Sequence, residues 1–397
     1  MATSVAVSDF GGARVGATTP RADADAPGAL WPLWCALASS LTVAFGVHWD
    51  IAWHRSIGRD GFWSPPHVAI YAAAVLAAVS ALAQVLPATF GRGAARDASV
   101  RVLGFRGPLG AFIAAWGGIT MLSSAPFDDW WHNAYGLDVK ILSPPHVVLG
   151  LGIIALHIGA LVMLAGAMNR LGPGPRRKML ETQVLVVGAM IIVALLTMFM
   201  EKTVRPFMHG GSFYLVVGLC VPVVLAAAQG ASGRRWAATT TAVVYSIFLL
   251  ALLWILPLVP AQPKLGPVLV PTHNLVPPEF PLLLLPAAIA LDAWFWRRRA
   301  RPGIATVAVA ALLFTAIFLV CQWPFASFLM SPHARNYFWG AKYFDFWLPP
   351  ETLYRRYRFL AEPAGAVVRG LAFAFLGTAL SIAAGRAVGR WLARLRR

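Results

Sequence analysis

The stretch His48–His67, HWDIAWHRSIGRDGFWSPPH, sets three histidines and two aspartates into twenty residues of a chain in which only 12% of residues are charged. Apolar sequence presses against it from both sides. Residues 30–48 and 66–87 are each of the length that crosses a bilayer, about 20 apolar residues, so the stretch reads as the turn of a helical hairpin. Further runs of this kind lie near 107–127, 144–168, 183–200, 212–229, 237–258, 279–296, 303–322 and 364–385. Together they predict an all-α, polytopic membrane bundle of about ten transmembrane helices. A hydrophobic share of 58% and a mean hydropathy of +0.67 exceed what a water-soluble domain of 397 residues carries.

A net charge of +17 would suit a nucleic-acid partner only if the basic residues gathered on one patch. They fall instead in short clusters in every second connection: Arg92, Arg96, Arg101 and Arg106; Arg170, Arg176, Arg177 and Lys178; Arg234 and Arg235; Arg297, Arg298, Arg299 and Arg301; and Arg386 to Arg397. Nucleic acid is therefore set aside and the lipid bilayer is the expected partner. The positive-inside rule then places these connections and both termini in the cytoplasm, for a multi-pass protein of the cytoplasmic membrane. Arg355, Arg356 and Arg358 oppose the pattern, but lie in a long loop, where charge controls topology weakly. The expected organisation is a disordered cytoplasmic tail at 1–29, a bundle at 30–385 and a basic cytoplasmic tail at 386–397. Within the bundle, 322–363 reads as a long aromatic outer loop able to roof the histidine face. Cys35, Cys220 and Cys321 are isolated, which excludes a disulfide framework and a thiolate metal site.

With this orientation eight of the nine histidines fall on the outer side. The opening stretch also recurs. Asp50, His54 and an SPPH ending at His67 are echoed by Asp128, His132 and an SPPH ending at His146, so 30–87 and 107–168 read as tandem duplicated hairpins. An i, i+4 spacing puts each aspartate beside its histidine on one helical face. Ser64 and Ser143 suit N-caps and the prolines suit a first turn, which brings His67 and His146 out near the start of the returning helices. One copy alone would be explained by a hydrogen-bonded Asp–His pair at a helix end; two copies with the same residues favour a metal site.

The expected ligands are thus Asp50, His54, His67, Asp128, His132 and His146. Oxygen and imidazole donors without thiolate suit copper, iron, zinc or manganese. His48, His209, His273 and His333 are further candidates on the same side, and Glu201, after the fifth apolar run, is a candidate proton acceptor. His157 lies deep in a span with no second histidine at its depth, which disfavours haem.

The D-x3-H-x12-H pattern of Asp50, His54 and His67 resembles the metal-binding motif in the C subunit of copper membrane monooxygenases, the particulate methane and ammonia oxidising enzymes. That resemblance implies copper at these three residues and hydroxylation of a small apolar substrate with dioxygen. It covers some twenty residues. The second copy has thirteen intervening residues where the first has twelve, and neither ten spans in one chain nor a duplicated motif belongs to that family's pattern. Two other functions fit a histidine-rich outer face: metal transport or delivery without catalysis, and an assembly subunit that meets a periplasmic or membrane partner.

Overall fold

The computed structural model describes residues 30–396 except 59, 93–95, 97–98, 137–142, 299–302, 350 and 352–356. The expected tail at 1–29, and Arg355 and Arg356, lie outside the described residues. The protein is an all-α helical bundle with almost no sheet.

Four helices carry the duplicated hairpins: α1 (Trp31–Ser56), α2 (Pro65–Phe90), α3 (Leu109–Tyr135) and α4 (Pro144–Arg170). Each has 26 or 27 residues, about 40 Å at ~1.5 Å per residue, which exceeds the roughly 30 Å of a hydrocarbon core. The surplus is at the turns. α1 runs past the apolar run to Ser56, and α3 to Tyr135, so Asp50, His54, Asp128 and His132 stand on the last turns of regular helices. A small antiparallel β-hairpin, Val100–Val102 with Phe105–Gly107, joins α2 to α3 at the other end.

The rest of the bundle comprises α5 (Pro175–Met198), α6 (Gly211–Ser232), α7 (Ala237–Ile255), α8 (Leu285–Arg297), α9 (Ile304–Met330) and α10 (Ala364–Arg394), with a single turn at Met200–Thr203. Among the described residues nine helices are long and apolar enough to cross a membrane. The exception corrects the expected span at 279–296. Pro277, Pro278 and Pro281 forbid helix there, and α8 begins only at Leu285, with 13 residues. The chain approaches it as extended backbone, which at membrane depth must find protein partners for its amides. Buried side chains supply them: Leu283 N–H donates to Gln322 Oε1 (2.9 Å) and Leu282 N–H to Tyr245 Oη (3.3 Å).

Two further boundaries move. α9 stays helical through Pro324 to Met330, so the aromatic outer segment begins near 331 rather than 322. The expected basic tail is helix to Arg394, because Ile382 and Leu392 are buried and Asn169 Nδ2 donates to the Leu392 and Leu395 carbonyls at 2.7 and 2.9 Å.

Helices of a membrane protein gain little from hydrophobic sorting and associate through close backbone approach at small residues. α3 and α4 do so: a Cβ on Gly117 would fall 2.5 Å from Leu156 N, and one on Gly110 2.5 Å from Gly159 O. Gly117→Leu is expected to force the pair apart at a cost of about 1–3 kcal/mol or more. The check is a lowered midpoint of thermal unfolding in detergent, which Gly172→Ala, whose Cβ would meet nothing within 4 Å, should not reproduce.

Candidate metal centre

α1 and α3 end, and α2 and α4 begin, at one end of the bundle. Pro65 and Pro66, and Pro144 and Pro145, occupy the first helical positions. Ser64 and Ser143 hold the N-cap positions, yet neither side chain makes a cap hydrogen bond. The prolines explain this: an N-cap side chain bonds the second or third helical amide, and proline has removed one of those donors. The serines act through their carbonyls, which accept the first intrahelical bonds from Val68 and Val147 at 3.0 and 2.9 Å. His67 and His146 emerge in these first turns and point back toward the ends of α1 and α3.

The first cluster joins Asp50, His54, His67 and Asp60. His54 Nε2 lies 3.8 Å from Asp50 Oδ2 and 3.4 Å from Asp60 Oδ2; His67 Nε2 lies 3.3 Å from Asp50 Oδ1 and 3.2 Å from Asp60 Oδ2. The second joins Asp128, His132 and His146, with Nε2 to carboxylate distances of 3.4 and 3.5 Å. Within each cluster the candidate ligand atoms all lie within 4.8 Å of one another. Charge-assisted N–H···O bonds close to about 2.7–2.9 Å. Donors about 2.1 Å from a central ion in tetrahedral array stand about 3.4 Å apart instead, and the observed separations match that spacing. Asp50 Oδ1 and Asp128 Oδ1 are buried and make no hydrogen bond, leaving lone pairs that an ion would take up.

Two features prepare the ligands. His132 Nδ1 lies 3.2 Å from the Gly136 carbonyl, a contact that suits an N–H on Nδ1 and would leave Nε2, the atom turned to Asp128, to bind an ion. Burial alone would push the Asp60 carboxyl up, but the His54 and His67 imidazoles beside it hold it well below the usual carboxylate range. Asp60 therefore stays anionic.

Both clusters open into one cavity of about 370 Å³. Asp50, Asp60 and His67 line one side, and Asp128, His132 and His146 the other. Ile70 and Met121 meet it from an apolar cluster that also contains Val43 and Leu156. Phe62, Trp63 and Tyr71 pack together near the first cluster, and Phe127, Trp130, Trp131 and Tyr135 near the second.

The structure thus brings all six expected ligands into two groups, with all but His54 lining one cavity, and adds Asp60, which stands outside the expected set. The duplication carries a signal for it. Both copies place Gly-x-Asp at the same offset, Gly58 and Asp60 in one, Gly136 and Asp138 in the other; both glycines have positive φ, 82° and 87°. Asp138 lies outside the described residues.

Other candidates lie apart from both clusters. His48 is buried, with Nδ1 2.9 Å from the Ala44 carbonyl and Nε2 near Thr197 Oγ1. His209 is stacked between Trp323 and Phe359. His273 and His333 are exposed on the outer segments, and Glu201 is exposed in the turn after α5. His157 is buried with Nδ1 2.7 Å from Ser40 Oγ.

The outer segments grip the first hairpin. Arg55 Nε donates to Asp345 Oδ1 at 2.6 Å and its Nη1 to the Pro277 carbonyl at 2.6 Å; Phe346 N–H donates to the Arg55 carbonyl, and Lys264 N–H to that of Ile57. Trp339 packs instead with Phe280, Phe325 and Phe328, so the aromatic segment clasps the edge of the first cluster while much of it covers the end of α9. No family model, curated protein or solved structure matches the chain.

Gly58 has no room for a side chain, since a Cβ would stand 2.5 Å from the Phe346 ring. Gly58→Ala is expected to displace Asp60 and weaken metal binding at the first cluster about 10–100-fold, the scale of lost outer-shell support. Competitive metal titration should show one weakened site and one unchanged.

Proposed function

We propose that the protein is a membrane metalloenzyme whose paired Asp/His sites hold copper, with iron and zinc as the other ions the donors accept, and which oxidises a small lipid-soluble substrate at the outer face of the cell membrane. The observation that carries this reading is the single cavity bounded by both clusters. Its volume, about 370 Å³, lies within the roughly 300–1,000 Å³ of small-molecule sites. Orientation follows from charge: connections at the opposite end carry Arg92 to Arg106, Arg170 to Lys178 and Arg234 to Arg235, which the positive-inside rule assigns to the cytoplasm.

Nitrogen and carboxylate donors without thiolate favour a divalent transition metal, and two histidines with one carboxylate leave coordination positions open to a reactant. Bound there, the metal supplies dioxygen activation and electron transfer. The chain's own part is to hold the ligands, present an apolar wall of Ile70, Met121 and Leu149, and let substrate pass the exposed Trp63 and Trp130 from the lipid interface. Ion passage through the membrane is disfavoured because the cavity floor is apolar, whereas a transport path needs polar groups through the full depth.

The purified protein is expected to retain two metal ions per chain. Asp50→Ala and Asp128→Ala should each remove one, read by elemental analysis and, for copper, by paramagnetic resonance. A chain that binds no stoichiometric metal sinks the reading. Because the imidazoles must be neutral and the carboxylates ionised to bind, metal occupancy should fall as the pH is lowered. Equilibrium dialysis along a pH series checks this.

A further inference from the structure

A second cavity, of about 150 Å³, lies at the opposite end of the bundle, where α6, the turn that follows it, α8 and α10 meet. Four arginines line it: Arg234, Arg235, Arg386 and Arg390. Read as sequence, two of these belong to a tail; the helical course of α10 brings them against α6 and α8.

The charges there are poorly balanced. Arg234 is paired with Glu181 at 3.0 Å. Arg235, Arg386 and Arg390 have no carboxylate partner among the described residues. The one acid on the wall, Asp292, is buried and fully engaged. It accepts from Gln229, from the Ala238 and Thr239 amides at 3.2 and 2.7 Å, and from the Thr239 hydroxyl at 2.7 Å, so its charge is taken up by the start of α7. At the metal end two arginines are paired with carboxylates, Arg55 with Asp345 and Arg205 with Glu279. Three uncompensated guanidinium groups around one small cavity repel one another, and an anion between them removes the repulsion.

Aromatic rings set the arginines in place. The Arg235 guanidinium lies over Trp236 and Trp296 at 5.0 and 5.5 Å, and that of Arg386 over Phe295 at 4.6 Å. Both tryptophans are partly exposed, as rings at a membrane interface are. Stacking orients a guanidinium while leaving its N–H edge free, and that fork matches phosphate oxygens.

We propose that this cavity is a binding site for a phosphate group, either the head of an acidic phospholipid of the basic-side leaflet or a free phosphate ion. Basic pockets between membrane helices on that side are suited to anionic head groups. The site is separate from the metal centre and does not depend on it.

The test uses the full chain, purified and stripped of lipid, then placed in nanodiscs of phosphatidylcholine with or without phosphatidylglycerol, or in detergent with millimolar inorganic phosphate. Native mass spectrometry reads retained lipid and thermal unfolding reads stabilisation. The wild type should retain phosphatidylglycerol and unfold at higher temperature with it; if inorganic phosphate stabilises equally, the source is the free ion. Arg235→Gln/Arg386→Gln/Arg390→Gln should reduce retention about a hundred-fold, from roughly 1 kcal/mol per basic residue. The corresponding triple lysine variant, which keeps charge but loses the fork, should lie between. Arg101→Gln, an exposed arginine at the same end, controls for general surface charge. The proposal is overturned if neither phosphatidylglycerol nor phosphate stabilises the wild type, or if Arg101→Gln loses as much as the triple glutamine variant.

Discussion

The structure turns on the cost of keeping carboxylates at the edge of hydrocarbon. An aspartate carried into the bilayer costs about 2.5–3.5 kcal/mol on insertion scales, and Asp50 and Asp128 each stand on the final turns of a largely apolar helix. Each is met by imidazoles from its own helix and from the helix that returns beside it. The turn geometry follows from this requirement. Two prolines start each returning helix so that His67 or His146 projects in its first turn, and a glycine with positive φ ends the outgoing one.

Duplication of that unit produces more than two copies of a site. Because both hairpins have the same sense, their turns lie at one end of the bundle, and the close approach of helices through small residues draws the clusters onto a common cavity. Among the described residues the copies differ. The first has a second carboxylate, Asp60, and is held by backbone and side-chain bonds from segments more than two hundred residues away, through Lys264, Pro277 and Phe346. The second has Asp129 and Asn133 exposed at its margin.

Charge divides the molecule along its long axis. At the metal end, Arg55 and Arg205 form ion pairs with Asp345 and Glu279 that fasten the outer segments to the helices. At the opposite end arginines outnumber their partners. The α8 crossing shows the same economy with polar groups: where prolines deny the chain a helix, Gln322 and Tyr245 are buried at the positions that satisfy its amides.

Hydropathy alone determined the fold class, the multi-pass character and nine of the crossings, because an apolar run of bilayer length has few alternatives to helix. The repeated Asp, His and SPPH likewise determined which residues gather, since i, i+4 spacing and a proline start act locally. Tertiary structure decided what depends on distant partners. It placed Gln322 and Tyr245 where they answer the extended chain that precedes Leu285, and continued α10 through Arg386 and Arg390, where packing on α6 outweighs their charge. It also added Asp60, whose place is fixed by Phe346 against Gly58, almost three hundred residues along the chain. No local pattern encodes such a contact, because the two segments become neighbours only once the helices between them have packed.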